Sequence, residues 1–198
     1  RDWWCGRLGR VVVRDWGLAV RANGAGAMLG AILTDTVIFK SPTCTQADKE
    51  AAAQLAEIAG VQDIEALGME LFTAKSAVKG VAPRDLIFRD FKDFNMNGTK
   101  VGVGQLELVS LDLVADMKAY IEAELARVKA EEGRHTAMLL LTDIMKEGSE
   151  LLMVSDDPAK IAAAFGQDPA LLQKGNLWLD GVMSRKKQVV PALEAAFR

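Results

Sequence analysis

Phe91-Lys92-Asp93-Phe94-Asn95-Met96-Asn97-Gly98-Thr99-Lys100-Val101-Gly102-Val103-Gly104-Gln105-Leu106-Glu107-Leu108 is the stretch on which the fold turns. Side chains alternate in character on both sides of Asn97-Gly98, and Asn-Gly is the pair best suited to the two left-handed positions of a type I′ turn. The stretch therefore predicts a β-hairpin. Downstream, Leu111 to Glu132 carries an apolar stripe at helical spacing and ends at Gly133, which predicts a long amphipathic helix. Met138-Leu139-Leu140-Leu141-Thr142 and Leu151-Leu152-Met153-Val154 are continuous apolar runs, the pattern of buried strands, with a polar turn around Glu147-Gly148-Ser149 between them. Asp157-Pro158 opens a short helix through Phe165. A last strand near Leu177-Trp178-Leu179 precedes Gly181, the basic run Ser184-Arg185-Lys186-Lys187 and a terminal helix ending at Phe197. Mixed α/β is the class this order predicts, without an internal repeat.

Upstream of the hairpin the pattern is helical. Ala25, Met28, Leu29, Ile32 and Leu33 recur at helical spacing up to Leu33-Thr34-Asp35-Thr36, and a β-rich run Val37-Ile38-Phe39 is expected to lead into Ser41-Pro42-Thr43. Thr45 and Asp48 cap a second amphipathic helix bearing Ala51, Ala52, Leu55, Ile58 and Ala59 and closed by Gly60. A third runs from Asp63 to about Ala74. The small and polar stretch 75–80 reads as a linker, giving a boundary between 1–74 and 81–198. Residues 1–23 hold three Trp and five Arg among glycines and valines and keep no period.

Composition narrows the class of function. Half of the 198 residues are hydrophobic and 26% are charged, the proportions of an ordinary globular protein rather than a disordered one. A net charge of -3 argues against a broad nucleic-acid-coating face, so any anion site must be local. No apolar run approaches the roughly 20 residues of a membrane-spanning helix, and no signal-peptide pattern opens the chain. Two cysteines, Cys5 and Cys44, give neither a disulfide framework nor a zinc knuckle, so a reducing cytoplasm is expected.

A few residues could carry chemistry. Ser184-Arg185-Lys186-Lys187 places three adjacent cations between a predicted strand and a predicted helix, where guanidinium forks, ammonium charge and open helix-terminal N–H groups could grip phosphate. Spacing alone reads first as a solvated charge run. Asp35, at the end of its helical run, could ligate a hard cation or merely cap a turn. Lys92 could serve an anion or sit on the solvent side of the hairpin. His135 reads as an exposed loop histidine, Thr142-Asp143 as a strand-terminating turn and Cys44 as a packed thiol. Gly102-Val103-Gly104 is not a P-loop, since no GK[ST] follows.

Two long motifs carry a resemblance to a known family. Residues Ala25-Gly26-Ala27-Met28-Leu29-Gly30-Ala31-Ile32-Leu33-Thr34-Asp35-Thr36-Val37-Ile38-Phe39-Lys40-Ser41-Pro42-Thr43-Cys44-Thr45 closely resemble the end of the DHH domain in family II inorganic pyrophosphatases. Gly181-Val182-Met183-Ser184-Arg185-Lys186-Lys187-Gln188-Val189-Val190-Pro191 resembles that family's closing signature. Asp90-Phe91-Lys92-Asp93-Phe94, Gly104-Gln105 and Leu141-Thr142-Asp143-Ile144 fall between them in the family's order, and the likeness spans about 18–198.

The resemblance implies a helical remnant of a DHH nucleotide-fold-like domain (1–74, with 1–17 atypical), a linker (75–80), and a smaller mixed-sheet α/β domain that binds substrate (81–198). It implies metal-dependent hydrolysis of pyrophosphate to two orthophosphates. By the same likeness Asp35 matches a ligand of a Mn2+ pair, with Mg2+ or Co2+ as alternatives, while Lys92, Arg185 and Lys186 match cations that bind pyrophosphate. A homodimer through the DHH domain of the full-length protein is implied too, with no nucleic-acid or membrane partner. Family members also hold a His-x-x-x-Asp-x-Asp motif, a further aspartate and Asp-His-His or Asp-His-Asn, none of which occurs in these residues. Most metal ligands are therefore expected to be missing, and this chain alone is expected to be inactive. A polyphosphate-type DHH phosphoesterase and a non-catalytic phosphate-binding module are the competing expectations.

Overall fold

A computed structural model describes residues 21–170 and 177–198. The expectations for residues 1–17 lie outside these. The chain divides into two compact units between Lys75 and Ser76.

Among the described residues the N-terminal unit holds three helices: α1 (Ala22–Asp35), α2 (Gln46–Ala59) and α3 (Ile64–Lys75). Its core joins Ala25, Leu29, Ile32 and Leu33 of α1 to Ala51, Ala52, Leu55 and Ala56 of α2, with Leu67 and Leu71 of α3 against them. Small residues on α1 and α2 let the two helices pack closely. The cap on α2 is the one the sequence predicts: the Thr45 side chain accepts from the Asp48 N–H, the Asp48 carboxylate accepts from the Thr45 N–H, and Gly60 closes the helix at φ 73°.

No strand forms at Val37-Ile38-Phe39. These residues take φ values of 53°, 50° and 64°, a left-handed turn directly after α1. Such a conformation is costly for β-branched side chains, and tertiary contacts hold it. The Ile38 N–H donates to Leu33 O, the Phe39 N–H donates to Thr36 Oγ1, and the buried Ile38 side chain lies over Gly68 of α3. A Cβ at Gly68 would stand 2.9 Å from Ile38 Cγ1.

In the C-terminal unit, α4 (Pro83–Phe88) is followed by a five-stranded sheet made of β1 (Phe91–Met96), β2 (Thr99–Leu108), β3 (Thr136–Asp143), β4 (Gly148–Ser155) and β5 (Leu177–Asp180). Strand order is β1-β2-β3-β4-β5; only β2 and β3 pair in parallel. The hairpin closes at Asn97 (φ 52°) and Gly98 (φ 87°), with Met96 opposite Thr99, as its sequence predicts. A parallel β2–β3 pair needs a crossover. It is made by a 3₁₀ segment, Leu111–Met117, and then α5 (Lys118–Glu131), rather than by one continuous helix. Ser110 caps the 3₁₀ segment by accepting from the Asp112 N–H.

Period two along the strands separates two apolar faces. Leu106, Leu108, Leu139, Leu141 and Leu152 meet α4 and α5 through Leu86, Ile87, Ile121, Leu125 and Val128. Val101, Val103, Met138, Leu140, Leu151 and Leu179 meet α6 (Pro158–Ala164) and α7 (Val190–Ala196) through Ile161, Leu193 and Phe197, the residue after α7. All eight residues of β3 are buried, which explains its unbroken hydrophobic run. Gly102 and Gly104 face α4 and α5, where a Cβ at Gly102 would collide with the Phe91 ring and one at Gly104 would lie 2.8 Å from Leu139 Cδ1. Their smallness lets Phe91 lie across β2. The stretch after α3 is no loose tether: Val78 joins the core and the Ser76 hydroxyl accepts from the Val109 N–H.

Candidate functional site

The basic run sits on a hydrogen-bonded platform at one end of the sheet. On the face shared with α7, β2 presents Gln105, β3 presents Thr142 and β4 presents Ser149. Thr142 Oγ1 and Ser149 Oγ pair at 2.8 Å, and Ser149 Oγ donates to Val182 O at 2.6 Å. Gln105 uses both ends of its amide. Its Nε2 donates to Thr142 Oγ1 and to Met183 O at 3.0 Å each, and its Oε1 accepts from the Arg185 N–H at 3.2 Å. Gln188 closes the loop from the other side: its Oε1 accepts from the Met183 and Ser184 N–H groups at 2.9 Å each, and its Nε2 donates to Gly181 O. Among the described residues no buried side-chain nitrogen or oxygen lacks a partner. A polar patch so satisfied can fix a loop instead of destabilising the sheet.

The helix that follows begins irregularly. Arg185–Val189 form a π turn, with the Val190 N–H donating to Arg185 O, before α7 continues. The N–H groups of Arg185 and Lys187 are taken by Gln105 Oε1 and Ser184 Oγ. The expected cradle of open helix-terminal N–H groups at these two positions is therefore absent.

Three neighbours in sequence receive different environments. Arg185 is 7% exposed, whereas Lys186 and Lys187 are exposed. The Arg185 guanidinium reaches back to the start of β1: Nη1 donates to Asp90 O at 2.6 Å and Val103 O at 3.1 Å, and Nη2 to Asp90 Oδ1 at 2.7 Å. Lys92 lies two residues beyond Asp90, opposite Val103 in the hairpin, and is exposed. Alternation puts Lys92 on the face of Phe94 and Met96, the α7 side. The structure thus brings Lys92 and the Arg185 guanidinium to one end of the sheet, both beside Val103, with the exposed Lys186 next to Arg185 in the chain.

On the opposite face of β1, a second ion network fixes the strand. Arg134, 3% exposed in its side chain, donates from Nε and Nη2 to the two Asp93 oxygens at 2.7 and 2.9 Å, and from Nη1 to Val128 O at 2.6 Å. Lys100 and Glu132 complete it. The guanidinium of Arg134 holds the Asp93 carboxyl below the usual carboxylate range, against the opposing effect of burial. Lys92 stands between Phe91, whose ring faces Arg134, and Asp93, so its strand is held on both sides.

Asp35 is the last residue of α1, exposed, in the N-terminal unit. Among the described residues no group of three His, Cys, Asp or Glu is close enough to hold a metal ion. A divalent cation needs several fixed donors, so the described residues alone do not fit a metal centre. His135 lies in the loop before β3 as expected but is half-buried rather than exposed: Nδ1 lies 2.8 Å from Thr136 Oγ1, and the ring packs edge-on against Phe197 at 5.3 Å. Asp143 is buried, and its Oδ1 accepts from the Met145 and Lys146 N–H groups, the strand-terminating turn its position suggests. Cys44 is partly exposed, and burial and the nearby Asp48 push its thiol pKa upward. A raised pKa disfavours the thiolate, as expected of an unreactive cysteine.

Sequence reading named the cations but not what holds them. Asp90, Gln105 and Gln188 carry the arrangement. The spacing Ser184 to Gln188 is a capping box lengthened by one residue, a legible hint at its reciprocal bonds.

Residues 69–196 match the family model of the DHHA2 domain. A protein of Archaeoglobus fulgidus named probable manganese-dependent inorganic pyrophosphatase is 50% identical over 181 residues, covering 91% of this chain and 55% of that protein. The manganese-dependent inorganic pyrophosphatase of Methanocaldococcus jannaschii is 47% identical over 173 residues, 87% of this chain and 55% of its own length. This chain therefore spans about 55% of the length of these relatives. A solved structure from Methanococcus jannaschii, of a protein assigned to the family II inorganic pyrophosphatases, superposes with a TM-score of 0.87 at 42% identity, covering 98% of this chain and 64% of that one.

Proposed function

Because this chain belongs to the DHHA2 domain family, we propose that its C-terminal unit binds pyrophosphate through Lys92, Arg185 and Lys186, as part of a manganese-dependent inorganic pyrophosphatase. The reading is supported by Lys92 and the Arg185 guanidinium both lying beside Val103 at one end of the sheet, with Lys186 adjacent to Arg185 in the chain, on a platform whose buried polar groups are already satisfied. Lys92 and Lys186 bring compact charge; Arg185 brings a planar fork on a fixed base. Such groups neutralise the oxygens of a diphosphate and the charge that grows on the leaving phosphate. The names of the relatives support the substrate.

Manganese would supply an activated water and polarise the phosphorus. This chain's proposed share of that centre is Asp35, and one carboxylate cannot fix an ion pair. Turnover is accordingly proposed only where further donors are supplied. The proposed domain roles follow: 1–74 belongs to the metal-binding part, 81–198 to the substrate-binding part, joined through 75–80. A cytoplasmic setting and dimerisation through the metal-binding part belong to the same proposal.

The test has two arms. Phosphate release from pyrophosphate with Mn2+ should be negligible for this chain and should appear when the part of the Archaeoglobus relative outside the matched 181 residues is supplied. Robust turnover by the chain alone would refute the assignment of Asp35. Calorimetry on the chain should show pyrophosphate binding that weakens about tenfold in Lys92→Ala and in Lys186→Ala, the cost of one charge-assisted contact at an exposed site. Unchanged affinity in both would reduce the cluster to solvated surface, and tighter binding of tripolyphosphate than of pyrophosphate would favour a polyphosphate-type phosphoesterase.

A further inference from the structure

Arg185 is an unusual anion-binding group, because its guanidinium already has an anion. Asp90 Oδ1 sits 2.7 Å from Nη2, and the Asp90 and Val103 carbonyls occupy both hydrogens of Nη1. Among the described residues Nε–H and the second Nη2 hydrogen receive no acceptor. The side chain of Arg185 is 8% exposed and that of Asp90 52%. The cation is the buried member and the carboxylate the outer one. Taking a guanidinium out of water is expensive unless it is paired, and here the pairing also removes its torsional freedom. The neighbouring backbone is fixed as well, since Asp90 O also accepts from the Gln105 N–H, and Gln105 Oε1 accepts from the Arg185 N–H.

We infer that Asp90 is a positioning residue for pyrophosphate binding: its carboxylate locks the Arg185 fork so that the two remaining donors are presented to a diphosphate oxygen. The inference rests on the substrate-binding role proposed above. It predicts a sign opposite to that of simple electrostatics. An exposed carboxylate beside a polyanion site repels the ligand, so on charge alone its removal should tighten binding. If the carboxylate positions Arg185, removal weakens binding, because a loosened guanidinium loses its aim.

Calorimetry with pyrophosphate on the whole chain tests this, with thermal unfolding of each variant recorded alongside. Asp90→Ala should raise Kd about tenfold. Asp90→Asn, which keeps an oxygen acceptor at the same place, should stay within about threefold of wild type. The double variant Asp90→Ala/Arg185→Ala should bind no more weakly than Arg185→Ala, since the two residues act through one contact. A folded Asp90→Ala that binds as well as or better than wild type overturns the inference and leaves the binding role of Arg185 intact. Should Asp90→Ala not fold, Asp90→Asn decides: tighter binding overturns the inference, near-wild-type binding supports it. Wild-type affinity in Arg185→Ala, or no binding by the wild-type chain, overturns the site reading, and the role of Asp90 with it.

Discussion

Replacing Gln105 by methionine keeps the length and volume of the side chain and removes every hydrogen bond that it makes. Three bonds are lost: two donated by Nε2, to Thr142 Oγ1 and Met183 O, and one accepted by Oε1 from the Arg185 N–H. Each is worth about 1 kcal/mol net between neutral groups, and a polar group left unpaired costs about 1–3 kcal/mol if water cannot reach it. Thr142 retains Ser149 as partner, so the uncompensated groups are Met183 O and the Arg185 N–H. Gln105 is only half-buried, so water can partly replace it, and the expected loss is about 2–3 kcal/mol. Native-state hydrogen exchange of the β3 amides reads the stability of the C-terminal unit by itself. The same variant should bind pyrophosphate more weakly, because the backbone of Arg185 loses its anchor. A loss below about 0.5 kcal/mol with unchanged affinity would refute the view that Gln105 ties the basic turn to the sheet.

Two further predictions follow from the fixed strands and helices. Arg134 holds the Asp93 carboxyl below its usual range, so its stabilising contribution is present above the unfolded carboxylate pKa of about 3.9 and is lost as pH falls through the lower folded value. Allowing for screening at a partly exposed carboxylate, Asp93→Asn should cost about 1 kcal/mol at pH 7. Urea titrations should show that gap closing below about pH 4; a gap that persists undiminished at pH 2 would refute the linkage. Gly68→Ala in α3 should destabilise the N-terminal unit although alanine is the better helix former by about 1 kcal/mol, because its Cβ meets three Ile38 carbons at 2.9 to 3.2 Å. Stabilisation in exchange measurements on α1 and α3 would contradict that packing.

Much of the fold is legible because its signals are local. Asn97-Gly98 specifies a turn from two residues, Thr45 and Asp48 specify a helix start from four, and the apolar runs of β3 and β4 report burial on both faces. Misreadings fall where a distant contact overrides local preference. Val37-Ile38-Phe39 has strand propensity but is held left-handed by backbone bonds to α1 and by the space over Gly68, thirty residues on. Leu111 to Glu132 keeps a helical stripe throughout, yet Ser110 caps a tight 3₁₀ start. His135 looked exposed because its cover, Phe197, comes from the far end of the chain, where Asn97 Nδ2 also donates to Phe197 O.

The candidate site divides along the same line. Sequence by itself determined which residues carry positive charge, that Asp35 ends a helix, and that two motifs in order belong to one family, since these depend on residue identity and spacing along the chain. Only the tertiary structure decided that Arg185 is buried on Asp90 while Lys186 beside it is exposed, and that Gln105 and Gln188 pin the turn between them. The physical reason is distance in sequence: Arg185 and Asp90 are separated by 95 residues, and which of three adjacent cations is desolvated depends on the carbonyls and the carboxylate that the folded sheet brings to meet it.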